Sequence, residues 1–224
     1  MTTATAVREY ETLQDVIDAA GGVCAERILL TPKPGTATED DVIAFDRLDL
    51  SYELVNGILL KKPMGNPEDR IAVRVGSLLW MFAYEHNLGV VGGAKAPLRL
   101  APGLVRMPDC CFTPWESTED EVEEDIFQFV APALIVEVLS PHNPGNDADR
   151  VMKLGDYARA GVKLVWYIDS VRKEVDVYPG GRVKSKKTFT VGEALSGGKV
   201  LPGFTLPVKT IFEDRRPPKP KKKA

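Results

Sequence analysis

A mixed α/β sheet with a helix on each face is the architecture this sequence predicts, and three observations carry the prediction. Two stretches place apolar residues at helical spacing: Ile71, Val75, Leu78, Leu79 and Phe82 in one, Val151, Leu154 and Ala158 in the other. Between them the run from Ala133 to Ser140 is apolar on both faces except for Glu137, as a central strand must be. Short strand-like runs stand before, between and after the two helices, the order expected of a sheet covered on both sides.

The elements follow in chain order. Leu13, Val16, Ile17 and Ala20 make an amphipathic helix that Gly21-Gly22 stops, and a Pro/Gly-containing linker leads to residue 44. Tyr52 to Val55 and Ile58 to Leu60 flank Asn56-Gly57, the strongest short-range hairpin signal. Residues 68–87 form the first long helix. Candidate strands run over Gly89 to Val91, Pro97 to Leu100 and Leu104 to Phe112. After the central strand, Asp147 to Ala160 is the second helix, ended by Gly161. Lys163 to Asp169 and Glu174 to Tyr178 are further strands, and β-rich cover reaches Leu206. The chain thus divides into an N-terminal helix and linker (1–44), one globular domain (45–212), and a basic Pro/Lys-rich tail (213–224) that cannot form regular structure.

Composition narrows the class. With 224 residues, 44% hydrophobic and 27% charged, the chain can bury a sizeable core without disulfide or metal staples. A net charge of -3 provides no global positive field for a nucleic acid, although a local patch would suffice. No apolar stretch approaches the ~20 residues of a membrane span, and no signal peptide stands at the N-terminus, so a cytoplasmic protein is expected. Cys24, Cys110 and Cys111 lack metal or redox spacing and fit a reducing compartment, and Cys110 and Cys111 read as small packing residues on opposite faces of a strand. His86 and His142 have no zinc-ligand spacing, His142 reads as a loop residue, and Trp80, Trp115 and Trp166 read as packing aromatics. The acidic stretch from Glu116 to Asp125 reads as a solvated loop.

The candidate chemistry starts at Glu137. Burying an unpaired carboxylate costs several kcal/mol in practice, so Glu137 needs either an ion-pair partner or a role as metal ligand or catalytic acid. Alternation puts it on the face of Ile135 and Leu139. Asp109, preceded by Pro108, sits in another strand-like run, at a strand start, bulge or edge. Two isolated carboxylates on neighbouring strands would form a hard oxygen site of the type Mg²⁺ or Mn²⁺ prefers. Asp149, Lys153 and Tyr157 follow at intervals of four and share one helix face. That face is either a solvated ion pair or a source of a cation near both carboxylates.

These residues carry a resemblance. Tyr52-Glu53-Leu54-Val55-Asn56-Gly57, Pro108-Asp109, Val136-Glu137-Val138-Leu139-Ser140-Pro141, Asp149 to Tyr157, and Ala160-Gly161-Val162 through Asp169 together resemble the Uma2 family, restriction-endonuclease-like proteins of bacteria with a PD-(D/E)XK nuclease fold. The resemblance covers roughly residues 45–212, and Asn143-Pro144-Gly145 resembles one branch. It implies a metal-dependent endonuclease that hydrolyses DNA phosphodiester bonds as a homodimer. Asp109 and Glu137 would be the metal-binding catalytic carboxylates, with the Val138 carbonyl a further oxygen ligand. Lys153 would be the catalytic lysine, Glu53 an extra ligand, and Asp149 and Tyr157 supporting residues. Leu139 stands where the standard nuclease motif has lysine, and the histidine often found at the start of the long helix is missing near Asp69 and Arg70. Lys61, Lys62, Arg70, Arg74, Lys95, Arg99 and the tail are candidate phosphate contacts, and a charged hairpin edge equally explains Lys61-Lys62. The alternative is a non-catalytic DNA- or partner-binding protein that retains the nuclease fold. A phosphoesterase acting on small substrates is a third possibility.

Overall fold

The computed structural model describes residues 7–62, 65–118, 127, 131–139 and 147–213. Chain order runs α1 (Leu13–Ala19), α2 (Glu39–Asp46), β1 (Tyr52–Val55), β2 (Ile58–Lys61), α3 (Asn66–Glu85), β3 (Gly89–Gly93), β4 (Leu98–Ala101), β5 (Leu104–Arg106), β6 (Cys110–Pro114) and β7 (Leu134–Leu139). It continues through α4 (Asp147–Arg159), β8 (Leu164–Asp169), β9 (Glu174–Pro179), β10 (Lys187–Thr190), β11 (Ala194–Ser196), β12 (Thr205–Pro207) and α5 (Val208–Phe212).

Among the described residues the central sheet has the order β10-β9-β8-β7-β6-β3. Only β7 and β8 in it run parallel, and α4 lies between them in the chain, as a parallel crossover requires. Alternation sorts the two faces. Leu134, Val136, Phe112 and Trp166 join Ile71, Val75 and Leu79 of α3 in one core. Ile135, Cys111, Val165 and Tyr167 join Leu154 and Tyr157 of α4 in the other. Truncating Leu79, fully buried at the centre of the first core, should cost about 2–5 kcal/mol.

A smaller sheet, β2-β1-β5-β4, stands beside the central one. Its first turn holds Asn56 at φ 53° and Gly57 at φ 72°, the left-handed pair that an Asn-Gly hairpin turn needs. The segment after α1 packs Val23 and Ile28 against Val55, Ile58 and Leu60. The Leu29 N–H also donates to the Leu59 carbonyl, so the N-terminal segment closes over the hairpin.

Three readings need correction. Leu104 to Phe112 is two strands, β5 and β6, in different sheets. Pro108 has no N–H, and the chain leaves one ladder there and enters the next. The supposed linker contains α2, which starts at a capping box of Thr38 and Asp41. Trp166 is buried, but Trp80 and Trp115 are about half exposed. No helix among the described residues is long and apolar enough to cross a membrane. Most of the acidic stretch, the loop with His142 and Asn143-Pro144-Gly145, and the basic tail lie outside the described residues.

Candidate active site

The antiparallel pairing of β6 with β7 sets Cys110 opposite Val136. Asp109 stands just before β6, where its N–H donates to the Val136 carbonyl at 3.1 Å, and its charge acts on the neighbouring Glu137 carboxyl. Glu137 lies on the α4 side of the sheet, shared with Cys111 and Ile135. Asp109 Oδ2 accepts from the Val138 N–H at 2.7 Å, and Oδ1 meets Lys62 Nζ at 3.0 Å.

Helix α4 supplies the partners of Glu137. Lys153 Nζ lies 3.2 Å from Glu137 Oε1, and the Tyr157 hydroxyl donates to the same oxygen at 2.5 Å. Four residues apart, the two donors share a helix face and reach one target. Burial pushes the Glu137 carboxyl above the ordinary carboxylate range, and Asp109 and Glu53 add to this while Lys153 opposes it. Burial works against the charge on Lys153, but Glu137 and Glu53 outweigh it and hold the ammonium protonated. Burial and Glu137 raise Tyr157 well above its usual value, so it remains a donor.

Behind this pair lies a closed charge network. Glu53 Oε1 accepts from Lys153 Nζ at 2.9 Å and from the Met107 N–H at 3.2 Å. Its Oε2 accepts from Arg106 Nη1 at 3.0 Å. Arg106 also grips Asp156, through Nε at 2.9 Å and Nη2 at 2.6 Å. Burial alone would raise the Glu53 carboxyl; Lys153, Arg106 and Arg27 outweigh it and hold it well below the ordinary range. Asp149 turns to Arg27 Nη1 at 3.3 Å, while Lys153 turns to the two glutamates.

The structure therefore brings together Asp109, Glu137, Lys153 and Tyr157, with Glu53 one contact behind them. Asp149 belongs to the closed network. Sequence reasoning passed over Arg106, Arg27 and the role of Lys62. Arg106 carried a signal, because a lone arginine in Leu104-Val105-Arg106-Met107 poses the same burial problem as Glu137. Arg27 carried none, since its partners are distant in sequence. Of the proposed phosphate contacts, Arg74 donates to the Ile211 carbonyl at 2.6 Å, Arg99 pairs with Glu39 at 2.8 Å, and Lys95 pairs with Asp49.

Among the described residues no group of three or more His, Cys, Asp or Glu side chains is arranged to hold a metal ion. Two neighbouring carboxylates, Asp109 and Glu137, still fit Mg²⁺, which binds through one or two carboxylates and keeps several waters. Glu53 does not fit, because it is fully buried and Lys153, Arg106 and Arg27 already surround it. A cavity of about 340 Å³ between α3 and β3, lined by Asp69, Gly76, Trp80, Gly92 and Gly93, includes Asp109 and Cys110 in its wall on the α3 side.

A family model described as "Uma2: Putative restriction endonuclease" matches residues 40–209. A crystal structure from Anabaena variabilis, titled as a "putative nuclease belonging to DUF820", superposes with a TM-score of 0.63 at 17% identity. The match covers 73% of this chain and 90% of that one, and it shows a shared fold. No curated protein matches the chain. The family match spans most of the chain and includes the strands and helix that carry Asp109, Glu137 and Lys153, and on that ground the protein belongs to the Uma2 family.

Proposed function

We propose that the protein is a Mg²⁺- or Mn²⁺-dependent endodeoxyribonuclease. The observation that carries this reading is the neighbouring Asp109 and Glu137 carboxylates, with Lys153 and Tyr157 fixed on Glu137. Asp109, Glu137 and the Val138 carbonyl would hold the cation, which lowers the pKa of a bound water and offsets charge on the phosphate. The chain's own residues do the rest. The Val138 N–H fixes the Asp109 carboxylate, and Tyr157 fixes that of Glu137. Lys153, held protonated, places positive charge where negative charge grows on the phosphate, so it acts as an electrostatic partner and not as the base.

The domain would be residues 45–212, with the tail adding phosphate contacts, in a cytoplasmic protein. A homodimer would set two such sites on opposite strands of a duplex. Light scattering tests that state, and a mass near 24.6 kDa at all concentrations argues against it. One observation favours a non-catalytic binding protein of the same fold: Lys62 and Lys153 already partner the two carboxylates. Incubation with single- and double-stranded DNA decides. Cleavage requiring Mg²⁺ or Mn²⁺, and lost in Glu137→Gln, supports the nuclease. DNA binding without cleavage under any metal supports the alternative.

A further inference from the structure

Lys62 lies outside every motif of the family resemblance, yet it is tightly held at the open end of the site. Its ammonium makes three contacts of 3.0 Å, to the Ala94 carbonyl, the Pro108 carbonyl and Asp109 Oδ1. Three acceptors use all the donors an ammonium has. The side chain is only 10% exposed, whereas a lysine that merely guards a hairpin edge would be hydrated.

Charge counting gives this lysine a purpose. Counting buried side chains only, Glu53, Asp149 and Asp156 are matched by Arg27, Arg106 and Lys153; Arg159 also pairs with Asp156, but it is 72% exposed and solvent screens its charge. Among the described residues Asp109 and Glu137 are left with Lys62, one negative charge in excess. One divalent cation reverses that to one positive charge, and a phosphodiester neutralises it. A second divalent cation would leave two uncompensated positive charges in a largely buried site. Two-metal sites also place their ions about 3.5–4 Å apart around shared carboxylates. Asp109 has one oxygen on the Val138 N–H and the other on Lys62, so a second ion would have to displace the ammonium.

We propose that Lys62 is a built-in cation that takes the place of a second metal ion, so that the site binds a single divalent cation. Lys62 is then a positioning residue that sets metal stoichiometry. The inference rests on the metal-dependent reading above.

Titration calorimetry of the full chain with Mn²⁺, on the wild type and Lys62→Gln, tests it without measuring cleavage. Glutamine keeps amide donors for the two carbonyls and removes the charge; Lys62→Met is the second variant, and melting curves check that each folds. The expected result is one Mn²⁺ in the wild type, with at least about tenfold tighter binding or a second ion in Lys62→Gln. Two Mn²⁺ ions in the wild type would overturn the proposal and leave the metal site standing. One ion in the wild type, with unchanged or weaker affinity in both variants, would also overturn it. No Mn²⁺ binding at all would overturn the metal-dependent reading and this inference with it.

Discussion

The charge cluster has two ends built from the same residue types, and they differ in one respect. At the closed end, Glu53 and Arg106 are 0% exposed, and each oxygen of Glu53 has a partner within 3.2 Å. At the open end, the side chains of Asp109 and Glu137 are 18% and 9% exposed. Both described partners of Glu137 fall on a single oxygen. A carboxylate is structural where the fold satisfies every lone pair, and available for chemistry where satisfaction is partial and a route to solvent remains. Lys153 joins the ends, touching Glu53 and Glu137 at once.

That contrast is broken most severely at Arg106. Arg106→Met removes the buried partner shared by Glu53 and Asp156, leaving them to Lys153 with Arg27 and to the exposed Arg159, and should cost about 3–5 kcal/mol in urea unfolding. A loss below about 1 kcal/mol would mean the closed end is not structural. The open end should respond the other way round. Asp109→Asn and Glu137→Gln should lower cleavage about 10²–10³-fold, the scale of a lost electrostatic contact to the reacting group, with stability within about 1 kcal/mol of wild type. Loss of activity that tracks unfolding would erase the distinction between the ends.

Acid titration sharpens the comparison because the two glutamates have opposite signs. Glu53 is depressed, so its contribution to stability is present above the ordinary carboxylate value, about 4.3, and is lost as pH falls through its folded value. Glu137 is raised, so the fold favours its protonated form, and that advantage fades as pH climbs through the elevated value. Glu53→Gln should therefore flatten the acid limb of the stability curve below about pH 4. Glu137→Gln should leave that limb unchanged and shift stability only at higher pH. Melting temperatures across pH 2–8 check both. The smallest effect is expected from the tail: deleting residues 215–224 should flatten the salt dependence of DNA affinity and leave the melting temperature unchanged. Identical salt slopes would make the tail a solubility device.

Sequence made the open end legible, and the closed end much less so. Glu137 stood out because it interrupts a run that is apolar on both faces, and α4 declared Lys153 and Tyr157 by their spacing of four. Asp109 was visible chiefly through the Pro-Asp step and the resemblance it supports. The central sheet and its two covering helices followed from periodicity. The second sheet did not, because Leu104 to Phe112 looks continuous until Pro108 moves the chain from one ladder to another. The closed network joins residues 53, 122 and 50 positions apart, for Glu53 with Arg106, Arg27 with Asp149, and Arg106 with Asp156, and no local pattern encodes such pairings. The resemblance assigned Glu53 to metal binding, but its identity as glutamate is satisfied by three cations around it.

The central claim is that the open carboxylate pair, and not the closed network, binds the divalent cation. Melting temperature measured with and without Mg²⁺ tests it directly in the wild type, Asp109→Asn, Glu137→Gln and Glu53→Gln. A ligand held only by the folded state raises the melting temperature by mass action. The account predicts a Mg²⁺-dependent rise in the wild type and in Glu53→Gln, and none in Asp109→Asn or Glu137→Gln. A rise that survives in Glu137→Gln and disappears in Glu53→Gln would contradict it.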